Sequence, residues 1–225
     1  MARLMLIPLA LVLCALSACK PHETWRQKLT LVVETPTGEV SGSAVVEVDG
    51  NMRQLPGSAN EINYTIRGEA TVVEVLPGRY LFALLGGSEG RFYAATKDRF
   101  PGMKRQEWLQ RIPHQTEPVS LLPDQVPMLV TFDDISKPET VRRVDLEDLA
   151  AVFGDGVRLK AVTLEITEEA VTEGRVEGVL GANFLRDSAK MRKDALAKAK
   201  GLNDPYFWSL QGTLARSNFI LDEQP

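Results

Sequence analysis

Cysteine and histidine are both scarce. The 225 residues contain two cysteines, Cys14 and Cys19, too few for a disulfide-stapled scaffold, and two histidines, His22 and His114. Neither histidine has a cysteine, a second histidine or a paired carboxylate at ligand spacing. Little is therefore offered to a metal ion or a general base, and no residue pattern implies a cofactor. Gly-x-Ser-x-Gly, His-Glu-x-x-His and the phosphate-loop pattern are missing, which removes the usual support for a serine hydrolase, a metalloprotease or an NTPase. No segment repeats, and no long low-complexity linker divides the chain. Positive charge is not in excess: 26 Lys and Arg against 30 Asp and Glu leave a net charge of -4, which argues against nucleic acid as a partner. No apolar run approaches the roughly 20 helical residues that span a bilayer core. What is present is a globular composition, 44% hydrophobic and 25% charged.

The N-terminus reads as an address. Arg3 is followed by the apolar run Leu4 to Leu16, which carries Pro8, and Leu16-Ser17-Ala18-Cys19 closes it. That tetrapeptide is similar to the lipobox of bacterial lipoproteins, in which an apolar residue and two small ones precede a cysteine that is lipidated and then becomes the mature N-terminus. Cys14 follows the bulky Leu13 and fits the pattern less well. The resemblance implies a diacylglyceryl group and an N-acyl chain such as palmitate on Cys19, enough acyl carbon for stable anchoring. Lys20, in place of Asp, implies passage to the outer membrane, with the domain facing the periplasm. Cleavage would remove 18 of the 225 residues, leaving 207, and loss of Arg3 would take the charge from -4 to -5. The mature chain would hold no free thiol, so its stability must come from a packed core.

The expected organisation is therefore a signal peptide over 1–18, the lipidated cysteine and a short tether over 19–24, and one domain over 25–225. Within the domain, 25–86 reads as a β-meander. Leu29, Leu31 and Val33 alternate with Thr30, Val32 and Glu34; Pro36-Thr37-Gly38 turns the chain, and Ala44, Val46 and Val48 alternate in turn. Ile62, Tyr64 and Ile66 mark a third strand, and Ala70 to Leu76 and Arg79 to Leu85 flank the Pro77-Gly78 turn. The mixed region 87–225 begins irregularly. A helix is expected over Met103 to Ile112, a buried strand over Val126 to Phe132, and a helix capped by Asp145 and ended by Gly154. A strand over Val157 to Ile166, a helix over Ala182 to Lys200 and a closing strand within Gly212 to Ile220 complete the pattern. The fold class expected is α+β: mainly antiparallel sheet, meander or sandwich-like, with two or three helices and the C-terminal helix packed on the sheet.

Four features stand out as interaction candidates. Asp133 and Asp134 end a buried strand within an acidic neighbourhood that includes Glu139, Asp145, Glu147 and Asp148. Adjacent strand residues point to opposite faces, and no calcium-loop spacing completes a site. The helix over 182–200 is basic: Arg186, Lys190, Arg192, Lys193, Lys198 and Lys200 against Asp187 and Asp194 give +4, a surface for anionic lipid or an acidic partner if it is more than a solvated face. Tyr206, Phe207 and Trp208 form a run suited to recognition or to plugging a small core. Gly86-Gly87-Ser88-Glu89-Gly90 lacks the lysine of a phosphate loop and reads as a glycine turn.

The runs Gln27 to Gly38, Ser41 to Val48, Val130 to Asp134 and Val157 to Thr167 resemble a family of proteobacterial proteins, many of them secreted or lipidated. The resemblance implies a shared fold and address and carries no assigned activity. The expectation is an envelope lipoprotein that binds or scaffolds an envelope protein. The alternative is a periplasmic enzyme acting on glycan or peptide through Asp133, Asp134, Glu168 or Glu169.

Overall fold

The structure, a computed structural model, describes residues 22–53, 61–181, 183–200, 210 and 214–222. Cys19 and the Tyr206-Phe207-Trp208 run lie outside the described residues. Strand β1, His22–Thr35, buries Trp25, Gln27, Leu29, Leu31, Val33 and Thr35 and leaves the intervening residues half-buried or exposed, the period of two that the sequence predicts. It begins earlier than a tether reaching Thr24 allows. His22 Nε2 lies 2.6 Å from Asp49 Oδ2, and the Thr24 hydroxyl donates to the same oxygen at 2.9 Å, so both residues are pinned to the neighbouring strand.

Strands β2 (Gly38–Arg53) and β3 (Glu61–Glu69) continue the meander, joined by β9 (Arg158–Ile166) and by the short edge strands β6 (Val119–Ser120) and β10 (Ile220–Leu221). All pairs are antiparallel, in the order β10-β3-β2-β1-β9-β6. After β3 the chain changes sheet. Gly68, at φ 139°, sits against Val45, and β4 (Thr71–Leu76) then starts a second antiparallel sheet with β5 (Arg79–Ala83), β7 (Leu129–Phe132) and β8 (Val141–Val144). The expected five-stranded meander is therefore divided between two stacked sheets.

The smaller sheet is apolar on both faces, which explains the unbroken runs Val72-Val73 and Leu81 to Leu85. Val73, Val75, Leu81, Ala83 and Leu129 face the larger sheet and join Leu29, Leu31, Val33, Val48 and Leu164 in the main core. Val72, Phe82, Val130 and Phe132 face the other way. Helices α4 (Arg175–Leu180) and α5 (Phe184–Lys198) cover that outer face, with Val176, Leu180, Phe184 and Met191 buried against it. Phe82, Phe132, Phe184 and Phe219 meet there edge to face, with centroids 5.3 to 5.8 Å apart. The protein is thus α+β, mostly antiparallel sheet, with helix α5 packed on a sheet.

Several boundaries differ from expectation. The glycine run opens a helix, α1 (Ser88–Thr96), with Gly87 in the left-handed region at φ 75° and Gly90 inside the first turn. Helix α2 spans Arg105–Arg111, and β7 starts only at Leu129, because Pro123–Gln125 forms a 3-10 turn and Pro127 has no N–H for a ladder. Asp145 caps no helix: its Oδ1 accepts the Glu147 N–H in a turn. Asp148 Oδ1 instead accepts the Ala151 N–H and starts the single helical turn α3, Ala150–Phe153. Among the described residues at the C-terminus, strand structure is confined to Ile220 and Leu221, after the 3-10 turn Arg216–Asn218; Gly212 and Thr213 of the expected strand lie outside them.

Candidate functional site

The loop after β7 carries the two aspartates, and each is already neutralised. Asp133 pairs with Arg142 at 2.9 Å. Asp134 accepts the Ser136 N–H at 3.0 Å, the Ser136 hydroxyl at 2.7 Å and the Lys137 ammonium at 3.0 Å. The Ser136 hydroxyl and then Lys137 hold the Asp134 carboxyl down at about 2, and the same contact raises Lys137 above its ordinary value. The Thr140 hydroxyl closes the loop, accepting from the Asp134 N–H at 3.1 Å and donating to the Lys137 carbonyl at 2.7 Å. The pair shapes a turn and does not converge on an ion. Among the described residues no three His, Cys, Asp or Glu side chains are grouped for a metal.

Glu168 and Glu169 follow β9 of the other sheet, apart from this loop. Glu169 accepts from Lys28 at 2.5 Å, and both backbone carbonyls lie at 3.5 Å from Arg26 Nη1. They belong to a lattice of charges on the outer face of the larger sheet. Arg26 and Arg67 both bind Glu47, at 3.0 and 3.3 Å, and hold its carboxyl below the ordinary range; Arg158 pairs with Glu34 and Lys160 with Glu39.

Glu139 of the acidic neighbourhood and Lys190 of the basic helix are brought together, whereas Asp133 and Asp134 do not line their common groove. The 3-10 turn Pro138–Thr140 packs beside α5, and a groove of about 680 Å³ opens between them. Lys137 and Glu139 stand on the loop side, Asp187, Lys190, Asp194 and Lys198 on the helix side, and Met191, Ala195 and Pro138 supply apolar surface. Volume and lining suit a ligand with both signs of charge and some apolar surface. Arg192 and Lys193 are exposed on α5 and do not line the groove.

Two buried charges escaped the sequence reading. Glu69, 4% exposed, accepts the N–H groups of Gly174, Arg175 and Val176 at 2.6, 2.8 and 2.9 Å, and so caps α4 from 105 residues away along the chain. Arg91, 7% exposed, donates to the Gly86 carbonyl at 2.5 Å and to Ser88 Oγ at 3.1 Å, tying down the turn before α1. Burial lowers its guanidinium to about 10, so it stays charged at neutral pH. No local pattern announces either residue, since each partner is set by the tertiary fold.

No helix among the described residues is long and apolar enough to cross a membrane. The chain matches no known protein family, no curated protein and no solved structure.

Proposed function

We propose that the chain is an envelope lipoprotein, held in the outer membrane by acyl groups on Cys19, whose domain binds a protein partner on its periplasmic side and performs no chemistry on it. The observation that carries the binding role is the groove between residues 136–139 and α5. Its alternating Lys and acidic side chains around Met191 and Ala195 match a polypeptide segment of mixed charge. The sequence Leu16-Ser17-Ala18-Cys19 supports the anchor.

Two measurements test the two halves separately. In Cys19→Ala the chain is expected to leave the membrane fraction; retention as firm as wild type overturns the anchor. A photo-crosslinking residue placed at Lys198 in cells is expected to capture one discrete envelope protein, while the same residue at Lys193, on the same helix outside the groove, captures none. Equal background at both positions overturns the groove as a binding site.

A further inference from the structure

Only Lys20 and Pro21 separate Cys19 from the first residue of β1. Three residue steps reach at most about 11 Å, so whatever holds Cys19 also holds one end of the larger sheet, where His22 faces Asn51 and Asn51 faces Asn63. Helix α2 sits at that same end. Gly50, opposite Glu23 on β1 and Tyr64 on β3, lies so close to Leu109 of α2 that a Cβ there would come within 2.9 Å of its Cδ1.

The segment around α2 is, like the helix over 182–200, a basic stretch of an acidic chain, and it is the one that lies at this end of the larger sheet. Lys97, Arg99, Lys104, Arg105 and Arg111 stand against Asp98 and Glu107 between positions 97 and 111, a local net of +3 where the whole chain is -4. All five cations are exposed, and among the described residues none makes an ion pair. The contrast with the outer face of the larger sheet is sharp: Arg26, Lys28, Arg67, Arg158 and Lys160 each meet a carboxylate. Two of the five are also held in place, Arg105 over the Tyr93 ring at 5.7 Å and Arg111 over the Phe100 ring at 5.4 Å.

We infer that the basic segment Lys97 to Arg111 is a docking surface for anionic phospholipid head groups of the bilayer that holds Cys19, and that it sets the domain's orientation on the membrane. The inference rests on the lipid anchor proposed above. Attraction to an anionic surface fades within a Debye length of about 8 Å, so a modest local charge acts only when something keeps it there. A tether of this reach does so, because it turns docking into an intramolecular step. The opposite end of β1 is a strand length of about 43 Å away and stands clear of the surface.

The test uses the lipidated full-length product, purified and reconstituted into vesicles. A fluorophore is placed on Gln106→Cys, or on Thr37→Cys in the β1–β2 turn, and nitroxide quenchers are carried on the lipid head groups. In vesicles containing phosphatidylglycerol, Gln106→Cys is expected to be quenched and Thr37→Cys not. Quenching at 106 is expected to be lost in purely phosphatidylcholine vesicles and in Arg105→Glu/Arg111→Glu. The neutral vesicles give the same answer without any charge variant. Lipidated protein with both probes equally unquenched, or with quenching at 106 that ignores lipid charge, overturns the docking surface alone. A mass spectrum showing an unmodified Cys19 overturns the anchor and the surface together.

Discussion

Glu69 shows how much one side chain can organise. Its carboxylate satisfies three N–H groups at the start of α4 from a position with almost no solvent, and charge-assisted bonds of this kind are about twice as strong as neutral ones. Removing it leaves three buried or half-buried donors without a partner. Glu69→Ala is therefore expected to cost about 3 kcal/mol or more in urea unfolding, and Glu69→Gln about 1–2 kcal/mol, since the amide oxygen still accepts. Asp134 makes a different prediction, of pH dependence. Its folded value is depressed to about 2, so its contribution is complete above the ordinary carboxylate range and is lost as pH falls from about 4 towards 2. Carbon-detected NMR should find this carboxyl titrating near 2, and Ser136→Ala should move it upwards; an Asp134 that titrates at the ordinary value would show that the turn is not formed in solution.

At the scale of elements, the decisive contact is the crossing of β2 and β4. A Cβ on Gly42 would come within 2.1 Å of the Val72 carbonyl oxygen, backbone that a side-chain rotation cannot move. Gly42→Ala is expected to cost about 2–3 kcal/mol by overpacking, against a few tenths for Gly86→Ala, where the space is open; thermal unfolding compares the two. Strands were the legible elements. Leu29, Leu31 and Val33 alternate because one face of β1 is buried, and the apolar runs of β4 and β5 are continuous because both of their faces are. Helices were less so. Gly86, Gly87 and Gly90 disguise α1, which forms because Phe92 is buried in the main core, and α4 is invisible locally because its cap arrives from Glu69. The charges of the loop and of α5 were readable one by one. That Lys190 and Glu139 line one groove follows from a 3-10 turn meeting a helix, which no spacing encodes.

On the scale of the whole molecule, polarity is distributed by end and by face. Paired charges cover the outer face of the larger sheet, the exposed cations of residues 97–111, which make no ion pair among the described residues, gather near the start of β1, and the groove lies in the helical layer beyond the smaller sheet. Charges that neutralise each other at the surface contribute little individually, so raising the salt concentration is expected to leave the melting temperature nearly unchanged, within about 2 °C for a domain of this size, as differential scanning calorimetry would show.

One consequence follows from β1 being both the first described strand and an interior one. Tension applied through the residues before His22 runs along a strand flanked by β2 over all fourteen of its residues and by β9 on its other side. Antiparallel ladder bonds lie across the strand, so a pull along its axis loads many of them at once, in shear. At the other end of the described chain the ladder is short: β10 pairs with β3 over two residues, and the carbonyls of Phe219 and Asn218 accept one backbone N–H each, from Ala70 and Leu85. The ladder that resists a pull through β1 is thus far longer than the one that holds β10.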